Sequence, residues 1–364
     1  MIGGHLFPPE SENTMHTSPD ALILSSSRSS RFDWWQALVR VLSSIEAVRD
    51  GRAMYMLLAA YAGAGTSMAS AIRAYGQGQL HLAIGLGTAA LFIAFYGSNA
   101  AGLMLMDRAT GRPVRDPRDA VFDALGIGHR VLLALLVMLL AAAALAAAVL
   151  GLYWLSGLGR LGVWLFALAV PVTVLLIGLA MLAGVAVVAP LTGPTVWSGD
   201  SSWQAVRTLW RLIRERLLQA AVLTGGVSLA TGLVGAATSA MVLVGGRVMA
   251  EASVYVLGVN VPPQALMAGL FGRTVMITDV SSVSARDLTY ISAASVGGGV
   301  IFALALVLPT LVYLRGVCEV YLALQAADEA EALDGLPVDH AMGEPSAGQG
   351  GGAVSGGARP EGAA

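Results

Sequence analysis

The residues able to do chemistry inside the apolar parts of this chain are uncharged. Ser98 and Asn99 sit together in one long apolar run, Thr66 and Ser70 lie in the run before it, and Ser228 and Thr231 lie in a later one. Hydroxyls and an amide donate and accept hydrogen bonds, but they do not exchange protons near neutral pH. Two uses fit them in a hydrophobic setting. They can bond across closely packed helices, or they can line a polar path or pocket for a solute. Asn99 is the strongest candidate for either use, because a buried amide needs partners for both its oxygen and its nitrogen.

Titratable and metal chemistry find little footing. His5, His16, His81, His129 and His340 never fall at a spacing that joins two of them with a carboxylate as metal ligands. Cys318 is the single cysteine, so an intrachain disulfide is excluded. Gly85-Leu86-Gly87 and Gly126-Ile127-Gly128 do not extend into a phosphate-cradling loop, and no nucleophile elbow occurs. No catalytic, cofactor-binding or metal residue is assigned, and the chain is expected not to be an enzyme. Arg315 and Glu319 stand four apart at the end of the last apolar run, where a stabilising pair is expected.

The elements that must position these residues follow from composition. The chain is 56% hydrophobic and 12% charged over 364 residues, with a mean hydropathy of +0.72. A soluble domain carries roughly 25% charged residues. Runs of about 20 apolar residues cross a hydrocarbon core, and six are read here: 54–73, 80–106, 131–154, 161–190, 217–245 and 290–315. Pro171 and Pro309 should kink the fourth and sixth spans. The short link Ser156-Gly157-Leu158-Gly159-Arg160 makes spans three and four an antiparallel hairpin.

All 21 basic residues are arginine, and they alternate by side. The segment before span one, the gaps after spans two and four, and the segment after span six hold sixteen, against five in the other gaps. Basic residues are in excess on the cytoplasmic face, so both termini are expected there. Residues 252–272 could suggest a seventh crossing. Pro262 and Pro263 interrupt them, and a seventh span would carry Arg315 outside, so an interfacial or re-entrant segment is expected. Residues 1–30 carry no basic n-region of a secretory signal and are expected, like 328–364, to be disordered cytoplasmic tails around a 31–327 transmembrane domain.

The basic stretches also repeat. Trp35-Gln36-Ala37-Leu38, Arg118-Asp119-Ala120-Val121 and Trp203-Gln204-Ala205-Val206 precede spans one, three and five at nearly equal intervals. In the third, Ala205, Leu209, Leu212 and Ile213 share one helical face, while Arg207, Arg211 and Arg214 share another. That is an amphipathic helix in the interface plane, with arginines toward anionic lipid headgroups. Trp35, Arg118, Trp203, Arg207, Arg211 and Arg214 are the expected interfacial anchors. Because the basic clusters alternate with apolar spans and include Asp116, Asp119 and Glu215, topology explains them better than a nucleic-acid surface does.

Three two-span units resemble mitochondrial carriers in outline, but the Pro-x-acidic-x-x-basic motif of that family is missing. The stretch Pro190 to Arg216 resembles a feature of uncharacterised bacterial multi-pass inner-membrane proteins: a span ending in proline and small residues, then an aromatic-alanine interfacial helix and an arginine-rich entry to the next span. That likeness implies a location and no activity. The sequence therefore describes an all-α polytopic membrane bundle of six transmembrane helices, with a threefold repeat of interfacial helix plus hairpin. The first functional expectation is a structural or assembly component that packs with itself or another membrane protein. The alternative is a permease or channel for a small or lipidic solute.

Overall fold

A computed structural model describes residues 33–157, 159–257 and 307–334, with scattered positions between 289 and 306. By contacts the chain divides into Phe32–Ala326 and the terminal segments Met1–Arg31 and Ala327–Ala364. Among the described residues the main hydrophobic core lies within the first of these, and every regular element is helical.

Helix α1 (Trp34–Leu42) and a 3-10 turn (Ser43–Arg49) lead into α2 (Gly51–Gly76), which turns at Gly78 into α3 (Leu80–Ala109). Helices α4 (Pro117–Ser156) and α5 (Gly159–Ala183) form the expected hairpin. A π turn (Gly184–Val188) carries α5 into α6 (Ala189–Trp197). Then come α7 (Ser202–Glu215), α8 (Leu217–Leu257) and α9 (Val307–Asp334).

Local chemistry sets the starts. Asp33 caps α1 by accepting from the amides of Trp35 and Gln36 at 3.1 and 3.2 Å. Pro117 occupies the first position of α4, where its missing N–H costs nothing. Ser201 and Gln204 form a reciprocal capping box on α7. Gly111 and Gly199, at φ 71° and 115°, end the preceding helices in a conformation that disfavours a Cβ.

Among the described residues, five helices are long and apolar enough to cross a membrane: Leu80–Ala109, Pro117–Ser156, Gly162–Trp197, Leu217–Val256 and Val307–Glu331. This is the architecture of a multi-pass membrane protein. The expected first span lies inside α2, which is helical throughout but richer in Gly, Ser, Thr and Tyr and falls outside the five. The fourth runs on past Pro190 to Trp197. The fifth continues through 252–257, the start of the segment expected to leave the membrane, and the rest of 252–272 lies outside the described residues.

The last span differs most from expectation. Among the described residues it is Val307–Glu331, within α9, so Arg315 and Glu319 stand inside that helix, and most of 290–306 lies outside the described residues. The reason is enclosure. Leu311, Val312, Val317, Cys318, Val320, Tyr321 and Leu324 are all buried, so α9 meets protein where α4 and α5 leave apolar side chains exposed. The exposed leucines and valines of α4 and α5, with Trp154 and Trp164 beside their turn, make an apolar-surfaced hairpin of the kind a membrane helix pair presents. Residues 328–334, expected to be disordered, continue α9.

Candidate functional site

The buried centre is built from three helix segments: the second half of α3, α6 with its π turn, and α9. Close approach comes first. A Cβ on Gly102 would lie 2.4 Å, and one on Gly193 2.7 Å, from the Trp197 ring. The indole therefore packs closely against two glycines, one from α3 and one from α6. Its Nε1 donates to the Asn99 oxygen at 3.0 Å, and the Asn99 amide nitrogen donates to the Phe95 carbonyl at 2.9 Å. Asn99 and Trp197 are 5% and 8% exposed, so the amide oxygen and one of its two N–H groups are paired with protein.

Two further links close a triangle. Ser198, just after α6, shares a 3.2 Å hydrogen bond with Tyr321 of α9, whose hydroxyl also accepts from Gln325 at 2.7 Å. Arg315 of α9 donates to the Leu105 carbonyl of α3 at 3.3 Å and pairs with Glu319 at 2.6 Å. Thus α3 bonds α6, α6 bonds α9, and α9 bonds α3.

Neighbouring helices tie into the triangle in the same way. Tyr61 of α2 reaches Ser98 at 3.2 Å and donates to Thr310 of α9 at 3.3 Å. Pro190 has no N–H to give the Ala186 carbonyl four residues back, and the Thr224 hydroxyl of α8 donates to that carbonyl at 3.0 Å.

Beside Asn99 a cavity of about 400 Å³ opens among α3, α4, α6 and α9. Ser98, Asn99, Thr192 and Tyr313 line it with apolar side chains. The other expected polar residues are elsewhere. Thr66 donates to the carbonyls of Ala62 and Gly63, Ser70 to that of Thr66, and Ser228 to that of Thr224, all within their own helices. The Thr231 hydroxyl is buried with no hydrogen-bond partner among the described residues. Of the six, only Ser98 and Asn99 share a site.

At the arginine-rich end, ion pairs knit the segments between helices. Arg115 takes Asp107 in a two-pronged grip, Nε to Oδ2 at 2.7 Å and Nη2 to Oδ1 at 2.8 Å, and its third nitrogen reaches Asp123 at 2.8 Å. The Asp107 hydrogen bond raises the Arg115 pKa, with both carboxylates adding to it and burial opposing them. Arg108 meets the buried Asp50 at 3.3 Å, and Arg52 meets Asp116 at 3.7 Å. Asp200, between α6 and α7, has its pKa raised by burial, while Arg211 and the Thr208 hydroxyl pull it back.

The anchors repeat in register. Ala37, Ala120 and Ala205, each four residues after Asp33, Asp116 or Ser201, are all buried, whereas Trp35, Arg118 and Trp203 are exposed. Arg118 stacks over Phe122 at 5.8 Å and Arg207 over Trp203 at 5.4 Å. Arg211 and Arg214 point outward. The first and third copies are separate helices, but the second runs unbroken into α4.

Sequence reasoning missed Trp197, Tyr61, Tyr321 and the Asp107–Arg115–Asp123 cluster. Trp197 was the most readable of these, as a lone tryptophan after Pro-Leu-Thr-Gly-Pro. Among the described residues no three His, Cys, Asp or Glu side chains gather as a metal site would require. No protein-family model, curated protein or solved structure matches the chain.

Proposed function

We propose that this is a non-enzymatic component of a bacterial inner membrane, crossing it six times with both termini in the cytoplasm and acting as a structural or assembly element through helix packing. The observation that carries the reading is that buried polar groups are turned on one another. Asn99, Trp197, Ser198, Tyr321, Ser98 and Tyr61 bond helix to helix, which suits a fixed frame and leaves little free hydrogen-bonding capacity for a polar solute.

The crossing beyond the five candidates is the expected first span, α2, whose 26 residues extend about 39 Å at 1.5 Å each, enough for a core of about 30 Å. Its close approach to α3 supports this. A Cβ on Gly97 would stand 2.2 Å from that of Ala60, the small-residue contact expected between membrane helices. A threefold repeat is supported by the common register of Ala37, Ala120 and Ala205 and by the triangle of α3, α6 and α9, the second span of each unit. The ion pairs joining Asp50, Arg108, Arg52 and Asp116 favour one face for the arginine-rich segments. Self-association or a second membrane protein is the expected partnership.

The cavity beside Asn99 favours a second reading, a permease or channel for a small or lipidic solute. One experiment separates the two. Asn99→Cys, made in a Cys318→Ala background, is treated in intact membranes with a membrane-impermeant maleimide. The packing reading expects no labelling. Labelling, above all labelling that a solute protects against, overturns it in favour of a path.

A further inference from the structure

Between α4 and α5, above α7, runs a groove of about 900 Å³ whose lining is almost wholly apolar. Its walls include Leu132 to Leu145 of α4 and Leu176 to Ala183 of α5, and Gly184 of the π turn borders it. π turns widen a helix locally and are frequent at functional sites. Leu139 and Leu179, 65% and 53% exposed, leave the groove open on its lipid side. Its length along α4 is about 20 Å at 1.5 Å per residue, while one leaflet is half of a core about 30 Å thick. The volume lies in the range of about 300–1,000 Å³ typical of ligand sites.

The floor tells what would enter. Trp210 and Ile213 of α7 close the groove at its interfacial end. Trp203, Arg207, Trp210 and Arg214 follow one another at three- and four-residue steps, a single stripe on the exposed side of α7. The inward side is Ala205, Leu209 and Leu212. Apolar floor and cationic rim thus adjoin on one helix.

We propose that this groove holds one acyl chain of an anionic phospholipid, with the headgroup phosphate on Arg207 and Arg214. The proposal rests on the reading of the chain as a membrane protein and is independent of packing against transport. Apolar length alone would admit any lipid; the arginines select the charge. Two arginines near an anionic group supply roughly thirtyfold preference.

The test uses the full chain, extracted in mild detergent, delipidated, and titrated with phosphatidylglycerol or phosphatidylcholine of identical acyl composition, with bound lipid read by native mass spectrometry. Release of the chain from membranes by alkaline carbonate, before any lipid is measured, would defeat the membrane reading itself. The expected result is one retained phosphatidylglycerol at a concentration at least tenfold below that for phosphatidylcholine. The double variant Arg207→Gln/Arg214→Gln abolishes the preference, weakening retention of phosphatidylglycerol more than that of phosphatidylcholine. Ala142→Trp, on an exposed groove wall, reduces retention of both, and Arg247→Gln on α8 changes neither. Equal retention of the two lipids, retention that survives Ala142→Trp in folded protein, or loss of a dimer in its place, which would assign the groove to a second copy, each overturns the proposal. Should Ala142→Trp fail to fold, the arginine pair decides, because both residues lie on the outer face of α7.

Discussion

The hydrogen bond between Asn99 and Trp197 can be isolated by a double-mutant cycle. Asn99→Leu keeps the volume close and removes the acceptor; Trp197→Phe removes the donor. Each single change also does something else. Leucine leaves the indole N–H buried without a partner, which costs about 1–3 kcal/mol. Phenylalanine leaves the Asn99 oxygen unpaired and vacates space over Gly102 and Gly193. The cycle cancels these and leaves the coupling. Hydrogen bonds between membrane helices average about 0.6 kcal/mol and reach about 1.7. This one belongs near the top of that range, because at 3.0 Å it is buried and the indole packs closely against Gly102 and Gly193. The expected coupling is therefore about 1–1.7 kcal/mol. It is measured by reversible unfolding in mixed micelles with increasing sodium dodecyl sulfate, followed by far-ultraviolet circular dichroism. Additivity within about 0.5 kcal/mol, the scatter of independent sites, would refute the reasoning: Asn99 would then be satisfied by other groups, such as solute or water in the adjoining cavity.

Two more outcomes are expected from the same preparation. Gly102→Ala places a methyl 2.4 Å from the Trp197 ring and should cost about 1–3 kcal/mol by overpacking, with Trp197→Phe relieving part of it; a neutral Gly102→Ala would show that the ring is free to move. Asp200 gives a pH signature. Its pKa is raised in the folded protein by burial, so the folded state holds the proton more tightly than the unfolded state does. Its contribution is most favourable below its ordinary value and is lost as pH rises through the raised one. Asp200→Asn should flatten that fall in unfolding free energy just above about pH 4, and an unchanged slope would count against it.

The class of fold was legible because hydropathy and arginine spacing are one-dimensional signals. The amphipathic α7 was legible for the same reason: Ala205, Leu209 and Leu212 sit at helical spacing, and the structure buries all three. What stayed hidden depends on where a helix lies among others. The run ending at Arg315 looked like a span reaching the surface, because charge usually stops at the interface. In α9 an ion pair sits within the helix, and the enclosing helices, not water, supply the partner at Leu105. The fusion of the second interfacial segment with α4 has a local cause. Between Ala120 and Val131 only Gly126 and Gly128 weaken the helix, and isolated glycines do not end one. The first and third copies end at Ser43 and at Arg216, the latter with φ −131°. Asn99 announced its need for a partner, but not that the partner was 98 residues away in sequence.

The triangle of α3, α6 and α9 bears on why polar groups are placed here at all. Apolar burial does not discriminate between neighbours in a bilayer, since lipid tails are as apolar as leucine. Three helices of similar hydropathy could then pack in several registers at little difference in energy. A hydrogen bond fixes register, because a shift of one residue turns its donor by about 100° around the helix and leaves both partners unpaired. Asn99 to Trp197 fixes α3 against α6, Ser198 to Tyr321 fixes α6 against α9, and Arg315 to the Leu105 carbonyl fixes α9 against α3. With two sides of a triangle set, the third is over-determined, so breaking one link should cost less than breaking two and then a third in sequence would suggest. The glycines act with this logic. Gly102 stands where a Cβ would come 2.4 Å from the Trp197 ring of α6, and Gly316 where one would come 2.7 Å from Val227 of α8, so a side chain of one helix seats directly against the backbone of another. Small residues bring the helices together, and the few buried polar atoms decide in which register they stay.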